Sequence, residues 1–513
     1  MKLKVLLLSM TSLLSASAFS ATYYVSPNGT GSKDGSSPDN AFGVTELREQ
    51  AAQNENGDIY YFEGGLYDLS EGTVVFKTAT GATLIGNAEG ERTVFSGDKN
   101  GNNNPDEGDA NRLIRFQANT VNGNSANAIV VENIDFTCVY TQADADADNM
   151  SAFAVDNSGD VLVRNCRFYN NWAQGTRGGA AAYLYRSTVK FVDCMFYNNS
   201  ANYRGGAIRI FSNSAEKALT TLENCVVKNN RNYHNLGGAI FMGHGNSLNI
   251  INSTITGNMS VSDGAAIYHN GYSSSHHCEL RIVNSTIAGN IATQADDAQI
   301  VTTQSAHVNI ANSIITSDDD VAALLFKGTE ANEAFDLVSG GWNYVGRIID
   351  AVEKEIEWQE SDEHGAQCTY GSIFGDNKLS ENNVIVPAVF YPGATGAEVS
   401  EAVAAWSLPA GLDLTVDQLG NPRAGEVTPG AYALEKGNIS SGVAMIGNDA
   451  DTPRLVKTGE GRYKIEGISA VMRIYNVSGM LVARVDSDNI DLSTFREGIY
   501  VVKGANGVFK IKR

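Results

Sequence analysis

One short element recurs through the middle of the chain: Asn, then Cys or Ser, then any residue, then Phe, Val or Ile. It stands at Asn165, Asn224, Asn252, Asn284 and Asn312, with Asp193 replacing Asn in one copy and a looser copy at Asn133. The steps between successive anchors are 32, 28, 31, 28, 32 and 28 residues. A period of this size marks a repeat architecture, in which each unit buries its apolar side only against its neighbours. Four residues before the anchors stand Ile129, Val161, Val189, Thr220, Leu248, Leu280 and Val308. Two before them stand Val131, Val163, Phe191, Leu222, Ile250, Ile282 and Ile310, and three after them Phe136, Phe168, Phe196, Val227, Ile255, Ile287 and Ile315. Alternation by two describes a strand with one buried face. The inward phase slips at the anchor, so the chain bends there, with one short strand running in and a second running out.

Short strands and turns repeating at this interval predict an all-β fold, a right-handed parallel β-helix over residues 21–435. Seven anchored coils at ~4.8 Å each give a core about 34 Å long. A leucine-rich repeat is excluded by the missing Leu-spaced consensus, and a propeller needs longer blades. Stacked Asn side chains at the bend are expected to bond along the axis as a ladder. A second element, Asn-Asn followed by Gly-Gly, recurs in "FYNNWAQGTRGGAA", "FYNNSANYRGGAI" and "VKNNRNYHNLGGAI". Its glycines suit left-handed backbone and close approach between coils, and need no ligand. Cys166, Cys194, Cys225, Ser253, Ser285 and Ser313 follow their anchors directly and predict a buried column of small residues. "VTELREQAAQ" reads as an amphipathic helix with Val44, Leu47 and Ala51 on one face, placed to cover the open first coil. Residues 318–412 read as irregular coils with insertions.

The ends differ from this body. "MKLKVLLLSMTSLLSASAFSA" has two lysines, an apolar run and small residues, the pattern of a secretory signal peptide over residues 1–20. No other apolar run is long enough to span a bilayer. A polar linker over 436–453 leads to residues 454–513, where 11 Lys and Arg face 6 Asp and Glu. There "RYKIEG", "VMRIYNVSG", "MLVARV", "GIYVVKG" and "VFKIKR" alternate as short strands between turns and predict a small antiparallel β-sandwich. The formal charge of the whole chain is −21, which argues against nucleic acid and weakens the case for a polyanionic glycan.

"GGAI" (Gly205–Ile208, Gly237–Ile240) and the spacing of Phe168 to Asn171 and Phe196 to Asn199 resemble the repeats of chlamydial polymorphic outer-membrane proteins. These are β-helical surface adhesins of the pectin-lyase-like superfamily. "YYVSPNGTGSKDGSSPDNAF" resembles the opening of bacterial β-helix proteins that include polysaccharide lyases, and "DQLGNPRAGEVTPGAYALE" their closing segment. "MRIYNVSGMLVARV", "DLSTF", "EGIYVVKG" and "KIKR" resemble the C-terminal sorting domain of the Bacteroidetes type IX secretion system. That resemblance implies the secretion machinery as a partner, and a protein released or held at the cell's outer surface.

Candidate site residues fall in two groups. Trp172, Arg177, Tyr203, Arg204, Tyr233 and His234 lie between the Asn-Asn and Gly-Gly elements. Aromatic residues with Arg are what glycan or host-protein recognition uses. Asp98, Asn100, Asn102, Asn104, Asp106 and Asp109 place oxygens at alternate positions, with Asp109 twelfth, as a Ca²⁺ loop would. Asn103 stands where such a loop has Gly. No cofactor is required by the sequence. Lys190, Arg209, Lys228, His234 and His244 have the residue types of glycan chemistry, but no spacing singles out a pair. The sequence therefore reads as an exported, non-catalytic adhesin or glycan- or protein-contacting module. A polysaccharide lyase or glycoside hydrolase on the same scaffold is the alternative.

Overall fold

In a computed structural model the chain divides into two compact units, Met1–Ile439 and Ser440–Arg513. The structure describes residues 20–436 apart from 55–56, 78–80, 118–127, 143–150, 176–177, 213–218, 244, 272–277, 295–296, 304–305, 318–320, 328–335 and 351–355. Beyond these it describes the strands of 454–512 and the residues 492, 493 and 495. The leader and the linker lie outside the described residues.

The first unit is the parallel β-helix read from the sequence. Four sheets run along it. Sheet 1 has 11 strands, from Thr22–Val25 to Asp336–Ser339, and sheet 2 has 11, from Gly65–Asp68 to Glu363–His364. Sheet 3 has 6 two-residue strands, from Tyr140–Thr141 to Ile291–Ala292, and sheet 4 has 10, from Val74–Lys77 to Ile348–Asp350. The coils over residues 129–303 visit all four in that order, as in Val161–Arg164, Arg167–Tyr169, Trp172–Ala173 and Ala182–Tyr185, and neighbouring coils pair in parallel.

Every inward column expected around the anchors is buried. In sheet 2 the rings of Phe136, Phe168 and Phe196 stack at 4.9 and 4.8 Å, within 6° of parallel, at the spacing of the coils themselves. The anchors have left-handed backbone, with φ between 47° and 61° from Asn133 to Asn312. Asn and Asp tolerate this conformation better than other side chains, which is why they recur at the bend.

The expected amide ladder at that bend is mostly absent. Asn165 donates to Asn133 (2.7 Å) and Asn312 to Asn284 (2.8 Å), but Asp193 interrupts the row, and Asn252 and Asn284 donate to the carbonyls of Asp413 and Leu414. The continuous ladder lies one bend further on, after the left-handed Asn170, Asn198 and Asn229. There Asn171, Asn199, Asn230, Asn258 and Asn290 are all buried. Each Nδ2 donates to the Oδ1 of the next, at 2.9, 2.9, 2.9 and 2.8 Å, and Gln299 Oε1 closes the row at 2.8 Å. Each Oδ1 from Asn199 onward also accepts the backbone N–H of the preceding Asn. The second Nδ2 proton goes to a carbonyl of the preceding coil, as from Asn230 to Phe196 O at 2.9 Å.

The small-residue column is present and wired in the same way. Ser253, Ser285 and Ser313 each accept the backbone N–H of the residue one coil back, at 2.9 to 3.1 Å. All six cysteines are buried and free.

In the pairs Gly205–Gly206 and Gly237–Gly238 the glycines divide the work, whereas Gly178 and Gly179 are both left-handed. Gly205 and Gly237 have φ of 79° and 77°. Gly206 and Gly238 do not, but a Cβ on either would lie 2.1 or 2.0 Å from a carbonyl oxygen of the next coil. Their backbone ladder ends at Asp297, whose Oδ1 accepts Gly264 N–H (2.9 Å) and Ala298 N–H (2.7 Å).

The N-terminal helix α1 (Val44–Ala51) buries Leu47 and Ala51 in the main core, as expected. Residues 318–412 depart from expectation. Ala322–Lys327, Asp336–Ser339 and Tyr344–Val345 continue the sheets in register, and Ile356 and Trp358 pack against the core. From residue 366 to 436 the chain then leaves the coils and runs back along their outside as a strap. Helices α2 (Tyr370–Phe374) and α3 (Gly396–Ala402) lie in it. Val399 and Leu414 cover the outward Ile251, Val283 and Ala311 of sheet 1, and Tyr370 and Phe374 cover Ala288 and Ile314 of sheet 2. The segment Asp417–Glu435 therefore lies along the side of the coils, with Ala431 N–H on Thr286 Oγ1 and Gly430 N–H on Asn312 O.

The C-terminal unit has a three-stranded and a four-stranded antiparallel sheet. Tyr463 and Ile490 of one and Ile474, Tyr500 and Val502 of the other share one core, which makes it the expected sandwich.

Two predictions follow from this wiring. Asn230→Ala orphans the buried Asn199 N–H and one of its amide protons, and should cost about 3 kcal/mol or more. Asn224→Ala loses only the left-handed preference and should cost about 1 kcal/mol. Denaturant unfolding compares the two, and equal costs would contradict the assignment of the ladder. Asp297 gives a pH test. It is 2% exposed, its Oδ2 has no partner among the described residues, and burial pushes its carboxyl from 3.8 to about 6. The folded chain therefore holds this proton more tightly than the unfolded chain. Its contribution is complete below about pH 4 and lost as pH rises through about 6, roughly 3 kcal/mol in all. Asp297→Asn keeps the acceptor without the charge. The fall in stability between about pH 4 and pH 7.5 should then shrink by roughly 2–3 kcal/mol in urea melts, and an unchanged fall would contradict it.

Candidate binding groove

The strap covers the later coils and stops short of the earlier ones. Where it stops, it makes a wall against the outer face of sheet 2. Arg167–Tyr169, Met195–Tyr197 and Val226–Lys228 are neighbours there, so Tyr169, Tyr197 and Lys228 form one outward column and Arg167, Met195 and Val226 another. The hairpin turn closed by Leu379 and Ile385 supplies the wall. Between them is a groove of about 530 Å³ lined by Arg167, Tyr197, Asn198, Lys228, Glu381 and Asn383, among others.

The Tyr169 and Tyr197 rings stack at 5.0 Å and 9°. The Lys228 ammonium lies 5.8 Å from the Tyr197 ring centre and donates to Asn383 Oδ1 at 2.7 Å. Burial pushes the Lys228 ammonium below its ordinary value. It pushes the Tyr197 hydroxyl up to about 12, so at neutral pH that hydroxyl is a neutral donor. Asn198 and Asn229 hold left-handed backbone beside the groove, with exposed side-chain amides. The arrangement offers an aromatic edge, amides and two cations to a ligand in solution. A second groove, about 470 Å³, lies on the outer face of sheet 1 beside Gly411. There Lys190 is paired with Glu223 (2.6 Å) and Arg164 with Glu132 (2.8 Å).

The residues singled out from sequence lie on sheet 3 and the loops leading to sheet 4. Trp172 meets Tyr140 (5.7 Å) and Tyr233 (6.4 Å). The Arg204 guanidinium lies 5.0 Å from the ring centres of both Tyr203 and Phe241. The fold thus joins Trp172 to Tyr233 and Arg204 to Tyr203, each partly buried in its pair, while His234 is exposed. Arg177 lies outside the described residues. Sequence reasoning placed Lys228 only by residue type and missed Arg167 and Tyr197. The signal was present in the outward positions two and four residues after each anchor.

The loop 98–109 closes on itself. Asp98 accepts the N–H groups of Gly101 and Asn103 at 2.7 and 2.6 Å, Asp106 accepts both amide protons it meets from Asn100 and Asn102, and Asp109 accepts those of Lys99 and Asp106. Asn104 donates to Asn102 O. Asn100 and Asn102 present nitrogen here, so a calcium ion would require both amides to turn. Among the described residues no group of three or more His, Cys, Asp or Glu side chains is arranged to hold a metal ion.

Two buried groups have the titration behaviour that acid–base chemistry uses. Asp297 stands beside the Asp263–Lys327 pair (2.5 Å), but its free oxygen is buried. His269 lies inside the coil, fully buried and pushed down to about 3. Neither faces a ligand in solution.

A family model described as "Right handed beta helix region" matches residues 107–287. No curated protein matches the sequence. Among solved structures, a glycoside hydrolase is 11% identical, with 68% of this chain and 98% of that chain covered and a TM-score of 0.42. The pectate lyase Pel9A is 17% identical, over 61% and 78%, at 0.36. PfbA, a surface adhesin of Streptococcus pneumoniae, is 13% identical, over 62% and 77%, at 0.30. At this level nothing about substrate or activity passes from them to this chain. By its own sheets and the matched region, the chain is a right-handed parallel β-helix with a C-terminal antiparallel β-sandwich.

Proposed function

We propose that the protein is exported and works at or beyond the cell's outer surface as a non-catalytic module that contacts a saccharide. The observation that carries this reading is the groove at the edge of the strap. Tyr197, stacked on Tyr169 with the Lys228 ammonium over its ring, supplies an apolar ring edge and a neutral hydroxyl. Asn198, Asn229 and Asn383 supply amides around it, which is how sugar rings are held. The leader over residues 1–20 and the likeness of 454–513 to a type IX sorting domain support export through that machinery.

The test is retention of the purified protein on a panel of insoluble polysaccharides, with assay of new reducing and unsaturated ends. Retention without products is expected. Tyr197→Ala should weaken it about tenfold, which is ~1.4 kcal/mol, while leaving the thermal midpoint within a few degrees. Product formation would overturn the non-catalytic reading, and unchanged retention in Tyr197→Ala would overturn the choice of groove. Deleting 454–513 should leave the protein inside the outer membrane, and normal release of the shortened chain would contradict the sorting role.

A further inference from the structure

Several outward cations on the coils meet a carboxylate. Arg115 pairs with Asp156 (2.5 Å), Arg164 with Glu132, Lys190 with Glu223, Lys327 with Asp263, and Arg281 with Glu279. At the head of the groove Arg92 is bonded to Asp135 at 2.7 and 2.9 Å. The two cations of the groove do not. Arg167 is exposed and makes no ion pair among the described residues. Lys228 is half-buried, and its bond is to the neutral amide of Asn383.

A half-buried ammonium without a counter-charge is costly, and an arriving anion would remove that cost. We infer that the groove takes a saccharide by an anionic substituent, a carboxylate or a sulfate, held between Arg167 and Lys228 with the sugar against the outward edge of the Tyr197 ring. This step rests on the saccharide reading given above. The lowered affinity of Lys228 for its proton agrees with a site that lacks its anion. Glu381 on the facing wall sets polarity, because it leaves the anion one side of the groove only.

The net charge of −21 does not forbid this. At physiological ionic strength charges are screened beyond about 8 Å. The two cations beside Tyr197 therefore outweigh the distant surface, and binding should fall as salt rises.

The full chain, the double variant Arg167→Gln/Lys228→Gln and Tyr197→Ala are applied to an array of neutral, carboxylated and sulfated oligosaccharides. Thermal midpoints check that each variant is folded. The expected result is capture of carboxylated or sulfated members, with the two arms telling which group is recognised. The double variant should lose at least tenfold on them, Lys228→Arg should restore most of it, and raising NaCl from 50 to 500 mM should weaken the wild type. Capture of neutral members that depends on Tyr197 but not on the two cations overturns the inference and leaves the saccharide reading standing. So does anionic capture that survives the double substitution. Capture of nothing overturns both.

Discussion

The amide of Asn230 is bonded to the coil before it and the coil after it, and every other feature of the β-helix depends on that two-way connection. Its Oδ1 accepts two bonds from Asn199 and its Nδ2 gives one to Phe196 O and one to Asn258. A buried amide satisfied on all sides is strong only while the row is unbroken. The row therefore sets the register of neighbouring coils, and register sets which side chains face out. Without it, the Tyr169, Tyr197 and Lys228 column would not stand on one face.

The strap turns this regular surface into a differentiated one. Apolar outward residues occur where it lies, at Ile251, Val283, Ala311 and Ile314, and charged ones where it does not, at Glu132, Arg164, Arg167 and Lys190. It is fastened by polar contacts spread over several coils, including Thr254 Oγ1 to Gln418 Oε1 (2.6 Å) and Ala394 N–H to Asn312 Oδ1 (2.9 Å). The groove is a consequence of where that fastening ends. Lys228 belongs to both parts, being a coil residue held by the strap's Asn383.

Much of the fold was legible because a period-two pattern with a phase slip has few physical solutions. The buried columns, the small-residue column, the paired glycines, the capping helix and the C-terminal sandwich all follow from local spacing. The amide ladder was assigned to the wrong bend because two rows of Asn recur at nearly the same period. One row is there for its left-handed backbone and the other for its buried amide, and sequence shows only that both are Asn. The strap was not legible, since its contacts join residues more than 100 apart and no repeat announces them. The groove was missed for the same reason. Half of its wall comes from the strap, and whether a cation is paired depends on neighbours that only the coil register brings together.

Hydrogen–deuterium exchange with and without a captured saccharide tests the central claim most directly. The account places the ligand on the outer face of sheet 2 beside the strap. Peptides covering 195–198, 226–229 and 380–384 should exchange more slowly in its presence, with those covering 203–211 and 233–243 unchanged. Protection of the second set without the first would contradict it, and would move the site to the Tyr203, Arg204 and Tyr233 edge.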